Sequence, residues 1–343
     1  MNTSFANIQP APKAAVEFHV RLVREDEWGT WNEFVKASPQ GTMFHTTRWL
    51  STSGLPFHIY GCFKDDVLVG GMVVEVLDRR TAGHSHHCPY LGVVLPPPFP
   101  KYLTTLTYHK NITIALANHV KGRFQMINCR MGPEMPDVQP FIWARYSTSV
   151  RYTYRIDTRD LDQAWRNMED KRRNDIRKAE RDGITVDPAG TMDEVLSLAE
   201  ITFERQGEEA GFKDLAARRE KALRPENQCR CFVARNKAGS PVAGVFLVWD
   251  DKAAYYLVGG YDTDRAHRGA GALAIWEAVR YTGTNLGLQR FDFTGSTIRP
   301  IERFFRDFGG ILTPTYVVDF QHPSLSRDMH RIWERIKRLW KRS

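Results

Sequence analysis

What this chain lacks narrows it first. Its five cysteines, Cys62, Cys88, Cys129, Cys229 and Cys231, form neither a CxxC pair nor an even disulfide framework, so reduced thiols are expected. No second ligand cluster accompanies His84-Ser85-His86-His87-Cys88, which therefore reads as a loop or strand end, and no metal is expected. No apolar run reaches the length needed to span a bilayer, and residues 1–15 lack the charged start and apolar centre of a secretory signal. The expected compartment is the cytosol. There is no GxSxG elbow, and only Cys88 lies beside histidines, so nothing demands a covalent nucleophile.

What is present is a chain of 343 residues, 42% hydrophobic and 26% charged, enough to bury one or two cores of ordinary domain size. The net charge of +8 favours a polyanionic partner: RNA, a nucleotide-linked donor or an anionic membrane surface. Much of the excess lies in 171–181 and 327–342.

The densest pattern runs from 255 to 310. Tyr255-Tyr256-Leu257-Val258 reads as a buried strand stopped by Gly259-Gly260, and a charged loop leads to Arg268-Gly269-Ala270-Gly271. Ala272 then opens a helix with Leu273, Ile275, Trp276 and Val279 on its apolar face. Phe291-Asp292-Phe293 reads as a second strand, Gly295-Ser296 as a turn, and 301–307 as a short helix closed by Gly309-Gly310. A glycine turn between strand and helix either is a plain tight turn or lets backbone N–H groups approach an anion at the helix's positive end. Arg265, His267 and Arg268 add positive charge there.

Earlier, 28–37 reads as a helix and 44–50 as a second; 58–63 and 67–77 form a hairpin, and Tyr90 with Pro96-Pro97-Pro98 belongs to a wall. Helix 106–120 and strand 124–129 follow. Helices 161–180 and 192–206 and strands 231–235, 242–248 and 253–258 repeat this series, so two copies of one α+β fold are expected, with a boundary near 145–151.

These motifs together resemble the Fem family and its FemAB-like relatives in the GNAT acyltransferase superfamily. The residues that carry the likeness are Leu273-Ala274-Ile275-Trp276-Glu277-Ala278, Gly287, Phe291-Asp292-Phe293-x-Gly295-Ser296 and Phe304-x-x-x-Phe308-Gly309-Gly310. The first half adds Trp31-x-x-Phe34-Val35, Gly41-Thr42-x-Phe44-His45-x-x-x-Trp49 and Pro89-Tyr90-x-Gly92-Val93; Lys171-Arg172-Arg173-Asn174-x-Ile176-Arg177 opens the second. The resemblance, over roughly 20–320, implies two tandem GNAT-like domains, 17–148 and 149–320. Each is a mixed, mostly antiparallel sheet flanked by helices, with a cleft between them. It also implies a flexible 1–16 and a basic amphipathic helix over 321–343 that packs back on the first domain.

An N-acyltransferase is the implied activity, with an acyl-CoA or an aminoacyl-tRNA as co-substrate and the amine of an amino sugar, peptide or cell-envelope precursor as acceptor. A degenerate pair that only binds an anionic precursor or RNA is the alternative of another class. The tail helix offers a contact with tRNA or an anionic membrane. Arg268, Gly269, Ala270 and Gly271 are the expected donor site. Arg173 and Arg177, four apart on one helix face, are expected phosphate contacts, or else a solvated face. Tyr90 and Trp49 are expected on the substrate side. Asp292 is expected to orient or deprotonate the amine, or else to cap its turn; Glu302 and Tyr256 supply further polar contacts, and Arg306 stabilises negative charge. One departure stands out: relatives commonly carry lysine where Phe305 stands, and Arg306 is not a simple replacement for it. The long heptad arm of some relatives is also missing.

Overall fold

The computed structural model describes residues 18–85, 88–206, 213–262 and 267–322, the side chains of 203–206 apart. The segment 1–16 and, but for its first two residues, the basic segment 321–343 lie outside the described residues. The first half runs β1 (His19–Leu22), α1 (Trp28–Ala37), α2 (Thr47–Ser51), β2 (Phe57–Lys64), β3 (Val67–Val76), β4 (Thr81–Gly83), β5 (Gly92–Val94), α3 (Tyr102–Lys121), β6 (Met126–Arg130), α4 (Gln139–Trp143) and β7 (Ser147–Asp157). The second runs α5 (Leu161–Asn167), α6 (Asp170–Arg181), β8 (Thr185–Asp187), α7 (Met192–Gln206), α8 (Lys213–Leu223), β9 (Cys229–Arg235), β10 (Pro241–Trp249), β11 (Ala254–Tyr261), α9 (Ala270–Thr284), β12 (Arg290–Asp292), α10 (Arg299–Arg306) and β13 (Ile311–Gln321).

Local chemistry accounts for most of these limits. In α1 the buried Trp31 and Val35 lie four apart on one face. The β2–β3 hairpin closes on Asp65 and Asp66, both left-handed at φ 49° and 62°, as a two-residue turn of this twist requires. The helix expected over 44–50 is instead broken at Thr46, which is extended and whose hydroxyl caps α2 by accepting the Trp49 N–H. Likewise the helix expected over 161–180 is two, because Met168 and Glu169 are extended and the Glu169 N–H donates to the Asp307 carbonyl at 2.9 Å. Gly309 packs into that break, where a Cβ would stand 2.2 Å from the Asn167 carbonyl oxygen.

The fold is α+β: one mixed sheet in the order β1-β2-β3-β4-β6-β13-β7-β12-β11-β10-β9-β8, with β5 also on β3. Among the described residues the parallel neighbours are β4 with β6 and β11 with β12. Two strands cross over. β7, into whose start the expected 145–151 boundary runs, pairs with β12 of the second half; β13, which ends the second half, pairs with β6 of the first. The two pair with each other from Ile311↔Arg155 to Asp319↔Ser147. Val318 and Phe320 of β13 accordingly pack with Ile112, Leu116 and Phe141, while Tyr154 and Ile156 of β7 pack with Ile275 and Phe291. A third core joins Trp31, Phe44, Trp49 and Tyr90 to Val195, Phe246, Val248 and Tyr255. Separating the halves would expose that layer, at roughly 1.5–3 kcal/mol for each large apolar side chain.

Among the described residues, no helix is long and apolar enough to cross a membrane. Nor, among the described residues, is any group of three or more His, Cys, Asp or Glu placed to hold a metal; His86 and His87 lie outside them.

Candidate active site

β11 and β12 are parallel neighbours for two positions only, Ala254↔Phe291 and Tyr255↔Asp292. Beyond them the chain leaves β12 through Thr294 and Gly295, at φ 57° and 80°, while β11 continues to Tyr261. The Thr294 hydroxyl donates to the Tyr256 carbonyl at 3.0 Å and closes the crotch between the strands. The register on β10 slips at the same level, with Phe246 opposite Val258 and Leu247 opposite Tyr256, so Leu257 is a bulge. Among the described residues, the β12-side edge of β11 past Tyr256 is thus left without a strand beside it.

The mouth of this crotch is the start of α9. Its N-cap residue, Gly269, has no side chain to cap the first turn. Gly269 packs tightly, since a Cβ there would lie 2.0 Å from the Asp175 carbonyl oxygen of α6; at Gly271 a Cβ would meet only Tyr261, at 3.5 Å. His267 fixes the turn: its Nδ1 accepts the Gly269 N–H at 3.1 Å, its carbonyl accepts that of Ala270 at 2.8 Å, and its Nε2 lies 3.0 Å from Asp182. Arg268 is largely exposed and 3.6 Å from Asp175; Arg265 lies outside the described residues. Gly269, Ala270 and Gly271 are small enough to let an anion approach this helix N-terminus, although the N–H groups of Gly269 and Ala270 are taken by His267.

Asp292 sits at the crotch, almost wholly buried. Oδ1 accepts from Thr153 Oγ1 at 2.6 Å, the Thr294 N–H at 2.7 Å and the Tyr90 phenol at 3.1 Å; the phenol lies 3.2 Å from Oδ2, and Arg155 Nε is 3.9 Å away. Burial pushes its carboxyl up from the ordinary value against these donors and Arg155. Burial and then Asp292 push the Tyr90 phenol well up. A carboxylate so enclosed must give up a bond before it takes a proton, so its present geometry is that of a clamp. Arg130 Nη2 reinforces it by donating to the Thr294 carbonyl at 2.8 Å, with its guanidinium 5.3 Å from the centre of the Tyr90 ring.

Tyr256 lies in an aromatic nest, its ring 5.3 Å from Phe305 and 6.1 Å from Phe293. Its hydroxyl abuts the β11 backbone: a Cβ at Gly259 would fall 1.7 Å from that oxygen. Burial pushes its phenol up. Phe305, at the position where the family resemblance implies lysine, is buried and stacked on Phe293 at 4.6 Å. Glu302 Oε1 accepts the Tyr154 hydroxyl at 2.6 Å and lies 3.7 Å from the exposed Arg306. Burial, then the bond to Glu302, pushes the Tyr154 phenol to about 12.

Other expected residues are placed elsewhere. Arg173 donates to the carbonyls of Trp165 and Arg166 at 3.3 and 2.6 Å and pairs with Asp170, while Arg177 stacks 5.4 Å over Trp165. Both staple α5 to α6. Trp49 is fully buried, edge-on to Phe44 at 4.8 Å and beneath the Arg219 guanidinium at 4.1 Å, and so does not reach the groove. The expected list misses Thr153, Arg155, Arg130 and Arg172. Arg172 is buried against the rings of Phe304 and Phe308 and bonded to Asp307 at 3.1 Å and Asp175 at 3.4 Å.

The model of the acetyltransferase (GNAT) domain family matches residues 149–306. Solved structures share the fold over nearly the whole chain. FemX superposes with a TM-score of 0.61 at 13% identity, covering 92% of this chain and 99% of that one. A tandem GNAT protein from the clavulanic acid biosynthesis pathway gives 0.54 at 11%, covering 88% and 98%. L-PGS from Bacillus licheniformis gives 0.51 at 13%, covering 89% and 94%. No curated protein matches the chain by sequence.

Proposed function

From the match of residues 149–306 to the acetyltransferase (GNAT) domain family we propose that the chain is an acyltransferase that moves an acyl group from a CoA thioester to the amine of an amino sugar, peptide or cell-envelope precursor in the cytosol. One observation carries this reading: β11 and β12 part after two paired positions, directly below a helix N-terminus whose N-cap is Gly269. The backbone N–H of Gly271 and the Arg268 side chain suit the donor's pyrophosphate, the Ala270 N–H being already bonded to the His267 carbonyl. The open edge of β11 suits its extended amide-bearing arm, which brings the thioester carbonyl to the crotch. Division of the chain at 148/149, with acceptor and donor meeting between the halves, belongs to the same reading.

Direct attack in a ternary complex forms the N–C bond and breaks the C–S bond. Tyr256, held protonated by burial and lying at the crotch, gives its proton to the departing thiolate. Glu302, less buried than Asp292 and with no hydrogen bond to its second oxygen among the described residues, takes a proton from the amine; Arg306 beside it balances the charge. Asp292 keeps Tyr90 and the Thr294 turn in place rather than titrating.

A second donor, aminoacyl-tRNA, is favoured by the net charge of +8 and by the fold shared with FemX. The burial of Phe305 favours the reading that the pair only binds. Titration calorimetry with CoA, acetyl-CoA and charged tRNA separates these. CoA binding that Gly271→Asp abolishes, with native stability kept, supports the thioester donor; no heat with CoA beside saturable binding of charged tRNA rejects it. Binding of either without any acyl transfer to an amine panel rejects catalysis.

A further inference from the structure

Where β12 stops, the sheet has a gap with β11 on one side and β7 on the other. The 293–296 turn follows β7 only as far as Tyr152: Phe293 N–H donates to the Tyr154 carbonyl, and a Cβ on Gly295 would lie 2.3 Å from the Tyr152 carbonyl oxygen. From there β7 runs on to Ser147 with β13 and then β6 behind it. The register lays Arg130, Val317 and Ser149 in one row, Thr315 and Arg151 in the next, Thr313 and Thr153 in a third, and Ile311, Arg155 and Asp292 in a fourth. Because side chains two apart share a face, and Thr153 bonds Asp292, Arg130, Arg151, Arg155 and Thr315 all stand on the Asp292 face.

On that face the cations exceed their partners. Arg155 is taken up by Glu134 at 2.9 Å, as is Arg290 at 2.5 Å. Arg130 spends one nitrogen on the Thr294 carbonyl, while its buried Nε has no partner. Arg151 makes no hydrogen bond or ion pair among the described residues; of the described charges acting on it, Arg130 opposes its own and Asp319, which also accepts from the Asn128 amide, favours it from a distance. Thr315, completely buried and paired with Arg151 across β13 and β7, has a hydroxyl without a partner among the described residues. A buried polar group left unbonded carries its full desolvation penalty, and two like charges held side by side add to it; an oxyanion relieves both.

We propose that Arg130, Arg151 and Thr315 form an anion site that holds a carboxylate or phosphate group of the acceptor, on the wall of the crotch opposite the donor. The acceptor is then an acidic amine, its nitrogen directed past Tyr90 toward the thioester. The assignment to the acceptor rests on the acyl-transfer reading; the anion site itself does not.

Thermal unfolding of the full chain in sodium phosphate, sodium acetate and sodium chloride of equal ionic strength tests it. Arg130 also braces the Thr294 turn, so Arg151, exposed at the rim, carries the test. Phosphate, acetate or both raise the melting temperature beyond chloride, by about 2–4 °C at tenfold excess over Kd. Arg151→Glu abolishes the rise and Arg151→Lys keeps part of it. Gly271→Asp, which blocks the helix end, leaves it intact. A response to phosphate alone points to a phosphorylated acceptor, and to acetate alone to a carboxylate. Equal curves in all three salts, or the same rise in Arg151→Glu, overturn the proposal. An Arg151-dependent rise in a protein that ignores CoA would remove the donor assignment and leave this site standing.

Discussion

The Tyr90 phenol and the Asp292 carboxylate, 202 residues apart in the chain, are hydrogen-bonded at 3.1 Å in the middle of the sheet. Tyr90 comes from the first half and packs edge-on to Phe44; Asp292 ends β12 of the second. One bond thus ties the halves together at the point where β11 and β12 part.

That bond makes Asp292 a stability residue first. Asp292→Asn turns an acceptor into a partial donor facing the Thr153, Thr294 and Tyr90 donors and costs about 1–3 kcal/mol, and Tyr90→Phe about 1–2 kcal/mol. Because both act through one contact, the double variant loses less than the sum, which a double-mutant cycle in urea measures. If Asp292→Asn keeps its stability and loses only turnover, the carboxylate is a proton acceptor and not a clamp.

Acid stability reports on His45. Burial first, and Lys252 second, lower its imidazole to about 3, and Nδ1 faces the Thr42 hydroxyl at 3.0 Å. The folded state therefore holds His45 neutral while the unfolded chain protonates near pH 6.5, so between those values the unfolded state binds more protons. Stability is full above pH 6.5 and falls by up to a few kcal/mol as the pH drops toward 3. Urea midpoints of His45→Gln should show a shallower slope between pH 6.5 and 4; an unchanged slope places the acid sensitivity elsewhere.

Of the arginines in 171–181, the buried one matters most. Arg172→Ala strands Asp175 and Asp307 and removes the cation from the Phe304 and Phe308 rings, a loss of about 2–4 kcal/mol with partial solvent screening. Arg177→Ala stays within about 1 kcal/mol. Comparable midpoints for the two would show that α10 does not depend on this contact.

The two loop glycines separate in the same way. Gly269→Ala forces a methyl to 2.0 Å from the Asp175 carbonyl oxygen and destabilises the α6–α9 contact by about 1–3 kcal/mol. Gly271→Ala meets only an ordinary contact and leaves stability unchanged or raises it by about 0.5–1 kcal/mol. Melting curves of the two variants give the answer without any ligand.

The glycine loop, the long helix after it and the strands around it were readable because apolar spacing and glycine punctuation are local signals. A further local signal went unused: Val150, Tyr152, Tyr154 and Ile156 alternate with Arg151, Thr153 and Arg155 over β7, into whose start the expected 145–151 boundary runs. The arginine row was also ambiguous, since spacing of four places Arg173 and Arg177 on one face without saying that the face meets α5 while Arg172 turns inward.

By itself the sequence determined most of the helices and strands of the second half before β13, the reduced thiols, the glycine-lined helix start and the resemblance to an acyltransferase superfamily, all carried by neighbours along the chain. Only the tertiary structure decided that β7 and β13 exchange sides, that Tyr90 meets Asp292, that Trp49 lies in the core, and that Arg151 is left beside Arg130. Each of those is a pairing between residues far apart in sequence, and strand register, which no local pattern encodes, is what brings them together.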